Sequence, residues 1–209
     1  IMKKILNLGV IGSNEGNGHP ISFSSIFNGY NKKFLNKYCK FKLIKDYLPK
    51  FHRNKKSNII KGAKVNYIWT QSKKNSYKIS KMSNIKYICS SLSEMSKKVD
   101  AVILARDDID NHLSMSEIFL KKNIPIFIDK LLVPDDQSLK KFLKISKNKL
   151  YMSCSSARYT SLIQKLEKKK SRIKKSTICV VGYSRKNWLR YAPHLLEGIV
   201  KIFGYDVKK

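Results

Sequence analysis

An apolar run, a glycine-rich bend and a helix start follow one another within the first 30 residues, and this order constrains the fold most. The run Ile5–Ile11 is short, apolar and ended by Gly12, which is typical of a buried parallel strand. The dipeptide His19-Pro20 then opens a helix, because a proline in the first helical turn loses no hydrogen bond. This arrangement predicts the first half of a βαβ unit.

The alternation continues along the chain. Further strands are predicted at 63–70, 86–89, 99–105, 125–128 and 150–154, and helices at 72–82, 110–122 and 135–147, with a helical turn at 93–95. Strands that alternate with helices predict a parallel sheet with right-handed crossovers. The fold class is therefore α/β, a Rossmann-type doubly wound sheet.

After residue 158 this rhythm changes. A basic helix at 159–172 is followed by a predicted strand at 177–182, a loop that carries Trp188 and a helix at 191–203. We expect a first domain over 1–157 and the start of an α+β second domain over 158–209. Residues 31–62 are rich in lysine and asparagine with few periodic apolar positions, so we expect a long, partly ordered insertion.

Composition narrows the class of protein. The 209 residues carry 44 Lys and Arg against 14 Asp and Glu, a net charge of +30, and 42% of them are hydrophobic, which is enough for a core. Nucleic acid is not the favoured partner, because the lysines are scattered and no nucleic-acid-binding signature accompanies them. No apolar run approaches the roughly 20 residues of a membrane span. The four cysteines are too dispersed for a metal site or disulfide scaffold, so we expect a cytoplasmic protein without a metal.

The glycine-rich bend is the first candidate site. Glycines let a backbone approach a pyrophosphate closely, and the helix N-terminus favours its negative charge. The spacing here is GxxxGxG and not GxGxxG, so an ordinary βα loop explains the bend about as well until the later alternation favours a nucleotide. The candidate residues are Gly12, Ser13, Asn14, Gly16, Gly18 and His19.

Several stretches suggest a family when they are taken in order: Gly9-Val10-Ile11-Gly12, Val99–Ala105, Asn111-His112 and Ile126–Lys130. Together they resemble the glucose-fructose oxidoreductase / inositol dehydrogenase / MocA (Gfo/Idh/MocA) family of NAD(P)-dependent oxidoreductases. The resemblance covers residues 5 to about 204. It implies NAD or NADP as cofactor, a sugar or cyclitol as substrate, hydride transfer as the reaction, and it allows a homo-oligomer.

The resemblance also assigns a catalytic lysine. Where the family has Glu-Lys-Pro, this chain has Asp129-Lys130-Leu131, which keeps the carboxylate and the lysine and loses the proline. Lys130 would lie near the nicotinamide and the substrate hydroxyl and exchange its proton, and Asp129 would border the cofactor. In a chain this rich in lysine, a solvated lysine at a strand end would be the better explanation of Lys130 without the neighbouring match to the family.

Further cofactor contacts follow from the same resemblance. Ala105 and Arg106 match residues beside the ribose, and His112 matches the histidine that follows strand four. The end of strand two, Thr70-Gln71-Ser72-Lys73-Lys74, has no carboxylate for the ribose hydroxyl of NAD. Thr70 and Gln71 are candidate contacts, and the choice between NAD and NADP stays open.

The second domain is expected to supply the substrate side. The family's histidine, which assists proton transfer, matches His194, although Arg190 replaces the aspartate expected four residues earlier. Arg158 and Tyr191 are the candidate substrate-binding residues. A helix-start histidine without catalytic function explains His194 equally well.

Length is the main departure from the family, whose members are normally much longer. We therefore expect a chain truncated at its C-terminus. Because Ile1 precedes Met2, we also expect a translated fragment or an extended reading frame. The alternative function is a truncated, non-catalytic nucleotide-binding protein.

Overall fold

The computed structural model of the chain describes residues 5–54, 59–184 and 188–205. These residues divide into two compact units, Ile1–Met152 and Ser153–Lys209. The two units meet between Met152 and Ser153, whereas the predicted domain boundary lies a few residues later, after residue 157.

A six-stranded sheet forms the centre of the first unit. Its order is β3-β2-β1-β4-β5-β6, and the pairings of β1 with β2 and β4, of β2 with β3 and of β4 with β5 are parallel. The strands are β1 Leu6–Ile11, β2 Ala63–Trp69, β3 Tyr87–Ile88, β4 Ala101–Leu104, β5 Ile126–Ile128 and β6 Tyr151–Ser153. The predicted Rossmann-type α/β class is confirmed. Its order reverses between β1 and β4, where the loops at the strand ends diverge and leave a crevice.

Seven α-helices of the described residues lie in the first unit: α1 His19–Asn28, α2 Lys32–Tyr38, α3 Lys42–Phe51, α4 Lys73–Met82, α5 Leu92–Met95, α6 His112–Leu120 and α7 Asp136–Ser146. Short 3-10 helices span His52–Asn54 and Ile109–Asn111. Side chains fix several starts, because Asn31, Ser72 and Asp135 accept hydrogen bonds from backbone amides three residues ahead.

The two faces of the sheet contribute to separate hydrophobic clusters. Val10 and Ile103 belong to the cluster that α1 to α4 help to build, whereas Ile11 and Leu104 belong to the cluster with α6 and α7. Neighbouring residues of one strand point to opposite faces, so each central strand contributes to both clusters. Burial on both faces explains why these strands are continuous apolar runs.

The insertion at 31–62 is more ordered than its composition suggests. Leu35 and Cys39 of the α2 region and Ile44 and Leu48 of α3 are buried in the first cluster. Each pair is four residues apart, the spacing of one helix face. The expectation of few periodic apolar positions was therefore wrong, because abundant lysines obscure these two pairs.

The second unit is helical in its described residues. It contains a 3-10 helix at Ser156–Tyr159 and α-helices α8 Ser161–Glu167, α9 Lys170–Ser176 and α10 Trp188–Phe203. The basic helix predicted at 159–172 is thus two helices, and Trp188 begins α10, so its placement in a loop was wrong.

The strand predicted at 177–182 is not formed. Residues 177–184 have no strand assignment, and the side chains of Ile178 and Val181 are 102% and 89% exposed. An isolated segment cannot pair its backbone groups, and the described part of this unit offers no neighbouring strand. Among the described residues, no helix combines the length and apolarity needed to cross a membrane.

Candidate functional site

Loops at the carboxyl ends of β1, β2, β4 and β5 meet at one edge of the sheet. They carry Gly12–His19, Thr70–Ser72, Ala105–Asp108 and Asp129–Leu131. The amide of Gly12 donates to the carbonyl oxygen of Trp69 at 3.0 Å, and side-chain contacts join the other loops. The structure therefore brings together the residues that the sequence assigned to cofactor binding.

The bend after β1 has room for little besides glycine at two positions. A Cβ on Gly12 would lie 2.4 Å from Cγ of Pro20, and a Cβ on Gly18 would lie 2.3 Å from Cδ1 of Ile44. Gly16 has a φ of +75°, a left-handed conformation that side chains disfavour. Packing at Gly12 and Gly18 and backbone conformation at Gly16 thus shape the bend.

The bend also presents unpaired backbone donors. Within the described residues, the amides of Ser13, Asn14, Glu15 and Gly16 donate to no protein acceptor, whereas the His19 amide donates to Oδ1 of Asn17 at 2.7 Å. These donors lie just before α1, whose dipole is positive at this end. Such an arrangement can hold an anion such as a diphosphate.

Arg106 joins three of the four loops. Its guanidinium donates to Oδ1 of Asp108 at 2.7 Å, to Oε1 of Gln71 at 2.8 Å and to the carbonyl oxygen of Ser13 at 3.2 Å. Burial raises the pKa of Asp108, but hydrogen bonds from Arg106 and Asn111 together with the arginine charge outweigh burial and lower it. Arg106 thereby fixes the bend relative to the loops after β2 and β4.

Two aspartates after β4 were missed by the sequence analysis. Asp107 accepts a hydrogen bond from the side-chain amide of Asn14 and donates its own backbone amide to Oδ1 of Asn14 at 3.2 Å. Asp108 pairs with Arg106. Both aspartates follow the strand predicted at 99–105, and this position was the signal that could have identified them.

Asp129 links the start of α1 to the candidate catalytic lysine. One carboxylate oxygen accepts the backbone amide of Lys130 at 2.9 Å, and the other contacts Nδ1 of His19. Asp129 and Lys130 are both buried. No partner for the Lys130 ammonium lies among the described residues, and a role of Lys130 in proton exchange stays a prediction.

His112 is fully buried between two loops. Its Nδ1 lies 2.7 Å from the carbonyl oxygen of Leu131, and its Nε2 lies 3.1 Å from that of Arg106. Because carbonyl oxygens only accept, a neutral imidazole can donate to one of them at a time. This geometry holds the loops after β4 and β5 together, and a direct cofactor contact of His112 stays a prediction.

The end of β2 is occupied by polar groups. The amide of Thr70 donates to Oγ of Ser76 at 3.0 Å, and its hydroxyl donates to the carbonyl oxygen of Ser72 at 2.7 Å. Gln71 contacts Ser13 as well as Arg106. Ala105 is fully buried, and its backbone amide donates to the carbonyl oxygen of Ile11. Its methyl group is therefore not exposed to a ligand.

In the second unit, Tyr191 and His194 lie in the first half of α10, and Arg158 in the 3-10 helix contacts the same helix. Nδ1 of His194 lies 2.5 Å from Oγ of Ser155, and the ring of Tyr191 lies 6.0 Å from that of His194. Arg158 donates to Oε2 of Glu197 at 2.5 Å, and this hydrogen bond is the main reason why its pKa is raised. Ser155 and Glu197 were not predicted, although Glu197 follows His194 by three residues on a predicted helix.

Two cavities of the first unit differ in chemistry. One of about 250 Å³ adjoins the bend and is lined by Asn14, Lys40 and Lys78 among others. The other, of about 500 Å³, is lined mainly by apolar side chains such as Phe23 and Phe127. Only the first offers groups that suit a charged ligand. Among the described residues, no cluster of three His, Cys, Asp or Glu side chains could hold a metal ion.

The sheet order and the position of the bend define a Rossmann-type α/β unit. Solved dehydrogenase structures share this fold. The chain is similar to a scyllo-inositol dehydrogenase from Lactobacillus casei with bound NAD(H) and scyllo-inositol, with 12% identity and a TM-score of 0.67, over 96% of this chain and 57% of that one. It is similar to a myo-inositol dehydrogenase from the same organism in complex with NAD(H) and myo-inositol, with 14% identity and a TM-score of 0.60, over 81% and 42%.

A probable dehydrogenase from Thermotoga maritima is also similar, with 13% identity and a TM-score of 0.64, over 97% of this chain and 56% of that one. The chain thus spans about half the length of these structures. No protein-family model matches the sequence, and no curated protein matches it. The resemblance to inositol dehydrogenases and related oxidoreductases is confirmed at the level of the fold.

Proposed function

We propose that the chain is an NAD(P)-dependent oxidoreductase that transfers a hydride between the nicotinamide cofactor and a sugar or cyclitol. One observation carries the proposal: a bend whose amides at 13–16 have no protein acceptor among the described residues is linked through His19 and Asp129 to the buried Lys130. Two of the similar dehydrogenase structures hold NAD(H) together with an inositol, which supports the proposed cofactor and substrate class.

The bend from Gly12 to Gly18 would hold the diphosphate through its backbone amides, and Arg106 with Gln71 would border the adenosine ribose. When bound, a nicotinamide dinucleotide supplies the carbon that accepts or donates the hydride. Lys130 would take the hydroxyl proton during oxidation and return it during reduction. It would take the proton as the neutral amine and return it as the ammonium.

The second unit would contribute the substrate side of the reaction. His194 would assist proton transfer, and Tyr191 and Arg158 would hold the substrate. These three roles come from the sequence resemblance. The missing carboxylate after β2 leaves both NAD and NADP as candidates.

The test is turnover with a polyol panel that includes myo-inositol and scyllo-inositol, with NAD⁺ or NADP⁺, followed by the absorbance of the reduced nicotinamide. We expect Lys130→Met to lower kcat by about 100-fold or more, the usual contribution of a general acid–base group, with little change in cofactor Kd. Lys144→Met is the matched control, since Lys144 is an exposed lysine of α7. Equal turnover in Lys130→Met and the wild type would contradict the role of Lys130.

Cofactor binding without turnover on any polyol would favour the alternative, a non-catalytic nucleotide-binding protein. The chain spans about half the length of the similar dehydrogenases. The proposed location is the cytoplasm, and the proposal allows a homo-oligomer.

A further inference from the structure

Ser155 lies directly against the imidazole of His194, and no role has been assigned to it above. It is 1% exposed and precedes the 3-10 helix Ser156–Tyr159. Its Oγ has two neighbours, the backbone amide of Ala157 at 3.1 Å and Nδ1 of His194 at 2.5 Å. Its own backbone amide donates to Oε1 of Glu197 at 3.3 Å.

These contacts decide which atom donates. The amide of Ala157 can only donate, so Oγ accepts from it. The hydroxyl proton of Ser155 then needs an acceptor, and within the described residues Nδ1 of His194 is the one in reach. If Nδ1 carried a proton instead, Oγ would accept twice and its buried O–H would have no acceptor. Burying an unpaired donor costs free energy.

We infer that Ser155 is a positioning residue that holds neutral His194 in the tautomer with its proton on Nε2. Glu197 supports this arrangement, because it holds the Ser155 backbone on one carboxylate oxygen and Arg158 on the other. A neutral imidazole of this tautomer is a hydrogen-bond donor through Nε2.

This inference deepens the proposed function and rests on it for one consequence. In this tautomer Nδ1 of neutral His194 accepts from Ser155, so His194 would not be the group that accepts the substrate proton. Acceptance of the hydroxyl proton would then fall to Lys130. The tautomer itself follows from contacts within the second unit and needs no cofactor.

The experiment is nitrogen-15 NMR of the whole chain with labelled histidine, at a pH where the imidazoles are neutral. The chain has four histidines, and His194→Gln assigns the resonances of His194. We expect a single tautomer in the wild type, protonated on Nε2 and hydrogen-bonded at Nδ1. In Ser155→Ala the ratio of the Nε2-protonated to the Nδ1-protonated tautomer should fall by roughly tenfold, the effect of losing one hydrogen bond. Ser155→Thr, which keeps the hydroxyl, should restore it.

Ser153→Ala is the matched control, since it removes a nearby serine hydroxyl and should leave His194 unchanged. A proton on Nδ1 of His194 in the wild type would overturn the inference, and this result does not depend on how well any variant folds. An unchanged His194 ring spectrum in Ser155→Ala would overturn it as well. If turnover is observed, Ser155→Ala should lower kcat and leave the Kd of NAD(P)H unchanged. Absence of cofactor binding would overturn the proposed function and leave the tautomer result standing.

Discussion

The buried guanidinium of Arg106 determines how the site is held. It is only 5% exposed and satisfies its donors on Asp108, Gln71 and the Ser13 carbonyl. A buried charge is tolerated when it is paired and hydrogen-bonded. Because these partners come from three loops, none of the loops can shift without breaking a charged hydrogen bond. A lysine could not replace this planar set of donors.

His52 makes stability depend on pH. It is buried against the rings of Tyr30 and Phe51, and its Nε2 has no hydrogen-bond partner in the described part of the chain. Burial lowers its pKa below the ordinary 6.5, although a hydrogen bond with the Ser25 backbone opposes the shift. The unfolded chain therefore binds this proton more readily. We expect the free energy of unfolding to fall as the pH drops from about 6.5 toward the lowered pKa.

Urea unfolding between pH 5 and 8 measures this effect. His52→Phe removes the titrating group and keeps an aromatic ring. The free energy of unfolding of this variant should therefore fall less on acidification than that of the wild type. The other three histidines are present in both proteins, and the difference between the two curves isolates His52. Parallel curves would show that His52 is not responsible.

Sequence reasoning named most residues of the candidate site but few of their contacts. The family resemblance assigned Arg106 and Asp129 to the candidate cofactor site. Their contacts with Gln71 and His19 could not be predicted, because those residues are 35 and 110 positions away and meet only through the order of the strands. Position along the chain thus identifies candidates, and the sheet decides which of them touch.

At the scale of elements, the bend between β1 and α1 has two distinct requirements. A Cβ at Gly12 would collide with the ring of Pro20, which cannot rotate away, whereas a Cβ at Gly16 would meet no atom within 4 Å. We expect Gly12→Ala to lower the free energy of unfolding by about 2 kcal/mol through overpacking. Gly16→Ala should cost about 1 kcal/mol through its positive φ. Chemical denaturation of both variants gives the comparison.

The two variants control for each other, because each adds the same methyl group four residues apart. A larger loss in Gly16→Ala than in Gly12→Ala would contradict the packing of α1 against the end of β1. A loss at neither position would mean that the bend does not need glycine there.

The local apolar pattern predicted strands and helices well where most of their residues are buried in the core. It failed where few residues of the element are buried. The central strands β1 and β4 were found because burial on both faces makes them apolar. Helices α2 and α3 were missed because lysines surround their four buried residues. The strand at 177–182 was predicted from composition alone, yet a strand needs a partner, and Ile178 remains exposed.

At the scale of the whole molecule, the strand order β3-β2-β1-β4-β5-β6 determines where a ligand can bind. The reversal between β1 and β4 brings the bend, Arg106 and Asp129 to one edge of the sheet. The same fold occurs in solved dehydrogenases about twice as long as this chain. The account therefore depends on the first unit, whose loops contain the entire proposed cofactor site.

Amide NMR of the whole chain, titrated with NADH and NADPH, tests this central claim most directly. We predict saturable shifts in the amides of Ser13–Gly16, with Gln71, Arg106 and Lys130 following at the same ligand concentration. Residues 161–176, which carry much of the second unit's positive charge, serve as the internal control and should not shift. Unchanged bend amides, or shifts confined to 161–176, would contradict the account.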